Sequence, residues 1–413
     1  MRVLLCCVPG FGHFHPMVPA ALALRAAGHE VAFATAERFC RNVIEPAGFL
    51  AFPAGLSPLD VQDRLAQQDP AAGNEAAADD EAQQARFGAA MFAGVAGPAK
   101  VGDLTAVIRD WAPSLLVHDP VDFGAPLAAA AAGLPYAAHS VGALQPVEFW
   151  EPAWELLRPL WPRSRWSQPG TGGWSRLFPQ LYLDTCPPSL QSPHITDVAA
   201  ARRLRPVLFD TTGTDRLPAW VGELGPAPTV YVTLGTVFNT TPGLFETILA
   251  ALAHEPVNVV VTVGLDRDPA QLGTQPGNVH VQRYLPQSLL LPHCDVVVAH
   301  GGSGTTFAAL AHGLPSLLLP QGADQLGNAR RIAECGAGTV LRDAEATPAA
   351  VRGAVRGLLS RRSYRTQARR LQQEIREMPG PERAVELLEE LVGITSPVAS
   401  GGSWPTPDPP RAG

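Results

Sequence analysis

His300-Gly301-Gly302-Ser303-Gly304-Thr305-Thr306 decides the reading of this 413-residue chain. It stands between an apolar run, Val296 to His300, and a helical pattern running from Thr305 to His312. Consecutive glycines let backbone approach a ligand closely, and the unpaired N–H groups at a helix start attract anions. A pyrophosphate fits such a place. Taken alone the signal is weak, because glycine-rich turns also bound helices that bind nothing.

Working outward, the text on both sides repeats one grammar. Short apolar runs at Thr229–Thr233, Val257–Val263, Val279–Tyr284 and Ser316–Leu319 alternate with helical patterns, of which Gln325–Cys335 is the clearest. Continuous apolar runs of this length fit strands buried on both faces of a parallel sheet. The N-terminal half opens the same way. Arg2–Val8 is ended by Pro9-Gly10, a helix follows in which Pro16 suits the first turn, Gly28 stops it, and Glu30–Thr35 is the next strand. Further runs at Ser114–Val117 and Pro135–Ala138 flank the alanine-rich helix Gly124–Ala132. The implied fold class is α/β, with two facing Rossmann-like domains and a ligand cleft between the carboxyl ends of their strands. We expect an N-terminal domain over 1–210, a linker over 211–225, a C-terminal domain over 226–378, a last helix over 379–392 and a disordered tail over 393–413.

Two stretches break the pattern. Gln67–Gln84 is rich in Ala, Asp and Gln without apolar periodicity, which reads as a mobile loop. Trp150, Trp154, Trp161, Trp166 and Trp174 place five of the eight tryptophans in one proline-interrupted segment. That density serves either a satellite core or a wall for a flat apolar ligand.

Composition excludes several classes. The net charge is −7 and charged residues make up only 17%, so a nucleic-acid partner is not expected. The N-terminal apolar run is too short to span a bilayer, no other integral membrane segment stands out, and a cytoplasmic location is expected. The six cysteines form no C-x-x-C pair and read as reduced packing residues. No metal site is signalled.

The stretch 300–306 is followed by Gly313-Leu-Pro-Ser-Leu-Leu-Leu-Pro-Gln-Gly-Ala-Asp-Gln325 and Asn328, and preceded by Tyr231-Val-Thr-Leu-Gly-Thr236 and Arg283-Tyr-Leu-Pro-Gln287. Pro9-Gly-Phe-Gly-His-Phe-His-Pro16 stands at the far N-terminus. Together these segments resemble the family 1 nucleotide-sugar glycosyltransferases of GT-B fold, and most closely the bacterial branch that decorates natural products. The resemblance covers about residues 1–392, is most specific over 283–328 and is looser over 55–225.

By position, the resemblance implies that His13 is the general base, with Asp119 orienting it. A histidine at a strand-to-helix turn, with a pKa near working pH, suits that task. His15 and Asp122 are the neighbouring competitors, and an aspartate before Pro120 also suits a helix cap. On the donor side, His300, Gly302, Ser303, Gly304 and Thr305 match positions that hold the diphosphate, and Thr236 matches a hydroxyl on the opposite turn. Leu285 and Gln287 fall in the loop on which the nucleobase rests. Asp324 and Gln325 match the pair that grips sugar hydroxyls, while Asp324 also suits a helix N-cap. The reaction implied is an inverting transfer without metal or cofactor, from a nucleotide sugar to a small apolar acceptor.

One departure sharpens the donor. UDP-glucose users of the family often carry a ribose-binding glutamate eight residues after the loop histidine; here that residue is Ala308. A methyl group accepts no hydrogen bond, so a dTDP-sugar, a deoxysugar included, loses less than a UDP-sugar. For the acceptor, Phe11, Phe14, Phe149 and Trp150 are the candidate walls, and a polyketide, macrolide or enediyne aglycone fits their character. Oligomeric state stays open, with a homodimer compatible. The competing readings are a UDP-glucose-dependent, antibiotic-inactivating transferase and a non-catalytic nucleotide-sugar-binding auxiliary. A dinucleotide oxidoreductase is disfavoured, because Pro9–Phe14 lacks the final glycine of its fingerprint.

Overall fold

A computed structural model describes residues 1–68, 81–161, 173–210, 215–235, 241–265 and 267–393. Thr236, Trp166 and the expected tail beyond Gly393 lie outside the described residues. So does most of the expected mobile loop, whose two ends are helical, in Pro58–Gln68 and Glu81–Ala89.

The apolar runs become two parallel sheets. In the first, β1 (Arg2–Cys6), β2 (Glu30–Thr35), β3 (Leu50–Pro53), β4 (Leu115–His118), β5 (Tyr136–His139), β6 (Tyr182–Asp184) and β7 (Ala201–Arg203) stand in the order β3-β2-β1-β4-β5-β6-β7. The second contains β8 (Thr229–Thr233), β9 (Asn258–Thr262), β10 (Val279–Gln282), β11 (Val296–Ala299), β12 (Ser316–Leu318) and β13 (Gly338–Val340), ordered β10-β9-β8-β11-β12-β13. The middle strands β4, β8 and β11 are buried along their whole length, as their unbroken apolar text requires.

In each sheet the chain order reverses between two adjacent strands, β1 and β4 in one, β8 and β11 in the other. Helices leave to opposite faces at such a point, opening a crevice at the carboxyl ends of the strands. The segments singled out in the sequence sit there. Gly10–Phe14 follows β1, Asp119 follows β4, Leu234-Gly235 follows β8, and His300–Ser303 follows β11.

The chain returns at its end to the first domain. Ala384, Val385, Leu387 and Leu388 of the helix Glu382–Leu391 are buried in one apolar cluster with Leu24 and Phe33, and the helix lies against Val18–Ala26. His29 Nε2 stands 3.0 Å from Glu389 Oε1. One helical run, Glu81–Trp111, is long and apolar enough by length and composition to cross a membrane, which the sequence reading passed over. Here it lies along the first domain, against the helices Gly124–Ala132 and Val147–Leu157, and carries the buried Lys100. All six cysteines are free thiols.

Candidate active site

His13 is positioned by a turn that glycine permits. Gly10 is extended and caps the short helix Phe11–Phe14, and a Cβ there would stand 3.3 Å from the His13 ring. The ring's Nδ1 lies 3.1 Å from Asp119 Oδ2, with 29% of the His13 side chain exposed and none of Asp119. Asp119 is held from behind: Val8 N–H donates to Oδ2 at 3.0 Å and Val121 N–H to Oδ1 at 2.8 Å.

The electrostatics follow from this burial. Desolvation pushes the Asp119 carboxyl upward, but the His13 charge, its hydrogen bond and the two backbone donors outweigh it and hold the group below its ordinary value. For His13, desolvation lowers the pKa, while the charge and hydrogen bond of Asp119, then Asp324 and Asp122, raise it above 6.5. His15 differs: burial drives its pKa down to about 4, against a weaker pull from Asp210. Of the two histidines, His13 is the one whose partner is a buried carboxylate.

Asp122 is occupied elsewhere. It pairs with Lys100, the sole lysine of the chain, whose ammonium also donates to the carbonyls of Cys7 and Ala34 at 3.1 Å each. Asp119 caps no helix, since the next one begins at Gly124 with Phe123 at its cap, although its Oδ1 closes the local turn to Val121.

On the opposite face, the glycine-rich segment is tighter than the sequence suggested. The helix starts at Ser303, so Ser303, Gly304 and Thr305 form its first turn and no side chain caps it. Its first N–H groups are therefore free of side-chain partners, and Gly304 is exposed with open space where a Cβ would be. His300 lies edge-on between two glycines. A Cβ on Gly235 would stand 2.6 Å from its Nε2, and one on Gly302 2.5 Å, so both positions must be bare. Burial lowers the His300 pKa, against Asp324 and the Thr233 carbonyl, and favours a neutral ring.

Behind this turn lies a side-chain network. Ser303 Oγ donates to Asp324 Oδ2 at 2.7 Å, and Asn328 Nδ2 donates to Gly301 O, Ser303 Oγ and Asp324 Oδ2 at 2.9–3.0 Å. The Asp324 side chain makes no cap bond to its helix, which removes that reading. Gln325 is buried, and its carbonyl accepts from Gln321 N–H and Gly322 N–H at 2.7 and 3.2 Å, so in this conformation it shapes the loop 320–322 rather than facing the cleft. Gln287 Nε2 donates to Thr305 Oγ1 at 3.3 Å, and Leu285 is buried beside it. Ala308 is also buried, in a cluster with Leu285 and Leu290.

The acceptor side requires corrections. Phe14 is fully buried against Phe33, Phe39 and Phe49, a core residue whose helix turns it inward. Trp150 and Phe149 are 1% and 3% exposed; Trp150 stacks on Trp174 and its indole N–H donates to Gln145 O at 2.8 Å. With Trp154, Trp161 and Trp174 also buried, the described part of the tryptophan segment belongs to the first domain's main core, in one cluster with Leu4 and Leu116 of the sheet. Phe11 alone of the four keeps a partly open ring, against Phe39 and His15. The aromatic beside His13 is Phe92, its ring centroid 6.4 Å away, on the π-helical turn Ala90–Ala96. Such turns recur at functional sites, and here Phe92 packs on Phe149, centroids 6.5 Å apart. Its sequence signal was faint: Gly88, Gly94 and Gly97 in an otherwise apolar helix. No cluster of three metal-ligating side chains occurs among the described residues.

Known proteins share this fold. Family models described as erythromycin biosynthesis protein CIII-like match residues 22–235 with their N-terminal domain and 246–391 with their C-terminal domain. The L-demethylnoviosyl transferase of Streptomyces niveus is 32% identical over 388 residues, 92% of this chain and 96% of that one. Among solved structures, the glycosyltransferase SnogD of Streptomyces nogalater superposes with a TM-score of 0.71 at 29% identity, covering 95% of this chain and 99% of its own. The spinosyn rhamnosyltransferase SpnG complexed with thymidine diphosphate gives 0.75 at 28% identity, covering 94% of this chain and all of its own.

Proposed function

Since the chain belongs to the erythromycin biosynthesis protein CIII-like family of natural-product glycosyltransferases, we propose that it transfers a sugar with inversion from a dTDP-sugar to a hydroxyl of an apolar aglycone, with His13 as general base. The observation that carries this reading is the 3.1 Å approach of His13 Nδ1 to a fully buried, doubly held Asp119 carboxylate. That contact favours the ring proton on Nδ1, with Nε2 as the acceptor.

In the reaction, His13 Nε2 takes the acceptor hydroxyl proton as that oxygen attacks the anomeric carbon. The bond from that carbon to the diphosphate breaks on the opposite side, which inverts the centre. Charge grows on the departing diphosphate, and the uncapped helix start at Ser303–Thr305 with a neutral His300 supplies donors where it grows. Asp324 is the carboxylate offered to sugar hydroxyls. These side chains need no metal to do this work.

Two observations favour dTDP over UDP. Ala308 is an apolar residue packed in a buried cluster, so it offers the ribose no acceptor. A neighbour of similar fold was solved with thymidine diphosphate. For the acceptor, Phe11 and Phe92 are the aromatic surfaces next to the base, and they suit an apolar aglycone of polyketide, macrolide or enediyne type.

Calorimetric and thermal-shift titration with dTDP, UDP and NAD tests the donor. Tight dTDP binding with weak UDP binding is expected; a preference for UDP discards the donor inference, and binding of NAD alone overturns the reading of the site. His13→Ala is expected to keep dTDP affinity while losing roughly 10²–10⁴ in turnover. Near-full activity in that variant would remove His13 as base.

A further inference from the structure

We infer that Phe209 and Asp210 form a strap that holds the nucleobase loop in register with the turn carrying His13. The inference rests on the donor-site reading above. Asp210 brackets that loop from both ends. Its backbone carbonyl accepts the Tyr284 hydroxyl at 2.7 Å, and its carboxylate accepts Ser288 N–H at 2.9 Å and Ser288 Oγ–H at 2.5 Å. Leu285, Pro286 and Gln287 lie between the two anchor points.

The adjacent residue is seated on the other domain. The Phe209 ring meets His15 edge-on, centroids 5.7 Å apart at 75°, and packs on the apolar cluster of the first domain. His15 in turn touches Phe11 at 5.2 Å and lies two residues from His13. One peptide unit therefore separates a group fixed to the acceptor-side turn from a group fixed to the donor-side loop. A peptide is planar and keeps neighbouring Cα atoms 3.8 Å apart, so neither loop shifts far without loading the other. The carboxylate bonds are of the stronger, charge-assisted kind. Phe209 and Asp210 are positioning residues, since neither reaches the reacting atoms.

The signature is a cross effect, because the Phe209 ring is seated on the acceptor side. Phe209→Ala is expected to weaken dTDP binding about fivefold, the lower range of coupling between residues with shared partners, and to raise donor KM more than it lowers kcat. Asp210→Ala, which keeps the carbonyl but loses both Ser288 bonds, is expected to do the same. The double variant should be little worse than either single one, and Phe209→Leu, which keeps an apolar seat, should recover most of the affinity. Unchanged dTDP affinity in Phe209→Ala, or effects that multiply in the double variant, overturns the strap. Hydrogen exchange of the free enzyme reads it without nucleotide: faster exchange at 284–290 in Phe209→Ala is expected, and unchanged exchange overturns it. A wild type that binds no dTDP removes the donor reading instead, and exchange alone then decides the strap.

Discussion

Gly142 of the first domain stands so close to Ser303 of the second that a methyl on its Cα would overlap the Ser303 hydroxyl and reach within 3.6 Å of Asp324 Oδ2. Nothing in the Gly142 backbone itself demands glycine, since its φ is not in the left-handed region. Gly142→Ala therefore adds one methyl at the point of domain contact. Either the Ser303–Asp324–Asn328 network yields or the cleft stays wider. Overpacking of this kind costs about 1–3 kcal/mol, so kcat/KM should fall by roughly five- to a hundredfold while the melting temperature barely moves. Wild-type kinetics in this variant would mean that the working enzyme never closes to this contact.

The dyad gives activity and stability opposite pH slopes. His13 titrates above its ordinary 6.5 and works as a base only when neutral, so the acidic limb of kcat/KM should turn above that value. Its protonated pairing with Asp119 contributes stability fully below 6.5, and that contribution fades as pH rises through the raised folded-state pKa. Asp119→Asn should move the limb to lower pH and flatten this part of the melting profile. A limb that stays in place would separate Asp119 from His13.

Trp150 and Phe92 should fail in different assays. Truncating the buried Trp150 to alanine opens a cavity at a cost of about 3–5 kcal/mol and should show in the melting temperature. Phe92→Ala should leave the melt nearly intact and raise the KM of an accepted aglycone roughly tenfold or more, from the 1.5–3 kcal/mol that covering a phenylalanine contributes. The reverse pattern would return the tryptophan segment to the acceptor wall.

Asp184 carries a titration of its own. Burial is the largest influence and raises its carboxyl to about 6, while Cys186 N–H and the Gln191 amide pull it back. A pKa raised from 3.8 favours the protonated fold, so this contribution is present below 3.8 and lost as pH rises through about 6. Ionised, the group costs about 3 kcal/mol. Asp184→Asn keeps an acceptor for both donors and should be more stable than wild type at pH 8, with the gain vanishing below pH 4. A gain independent of pH would place the cause in packing.

The legible parts of the molecule were those written in continuous text. β1, β4, β8 and β11 carry unbroken apolar runs because both faces of the sheet are covered, and the turns after β8 and β11 show glycine where backbone must approach His300. The short strands β3, β6, β7 and β13, at or next to the sheet margins, have three or four residues, too few for a period to register. Phe14 and Trp150 were misread as walls because aromatic residues serve cores and ligands alike, and only burial separates the two. Phe92 was missed because a π turn is a matter of hydrogen-bond register, which residue types barely encode.

The return of Glu382–Leu391 to the first domain bears on how the chain matures. Residues 1–210 emerge from the ribosome without Ala384, Val385, Leu387 and Leu388, which their own apolar cluster needs, and without the Glu389 partner of His29. The second domain is translated whole in the interval, on the order of ten seconds or more at ordinary elongation rates. The acceptor half is thus the first made and the last finished, and the act that completes it also ties the two halves into one body.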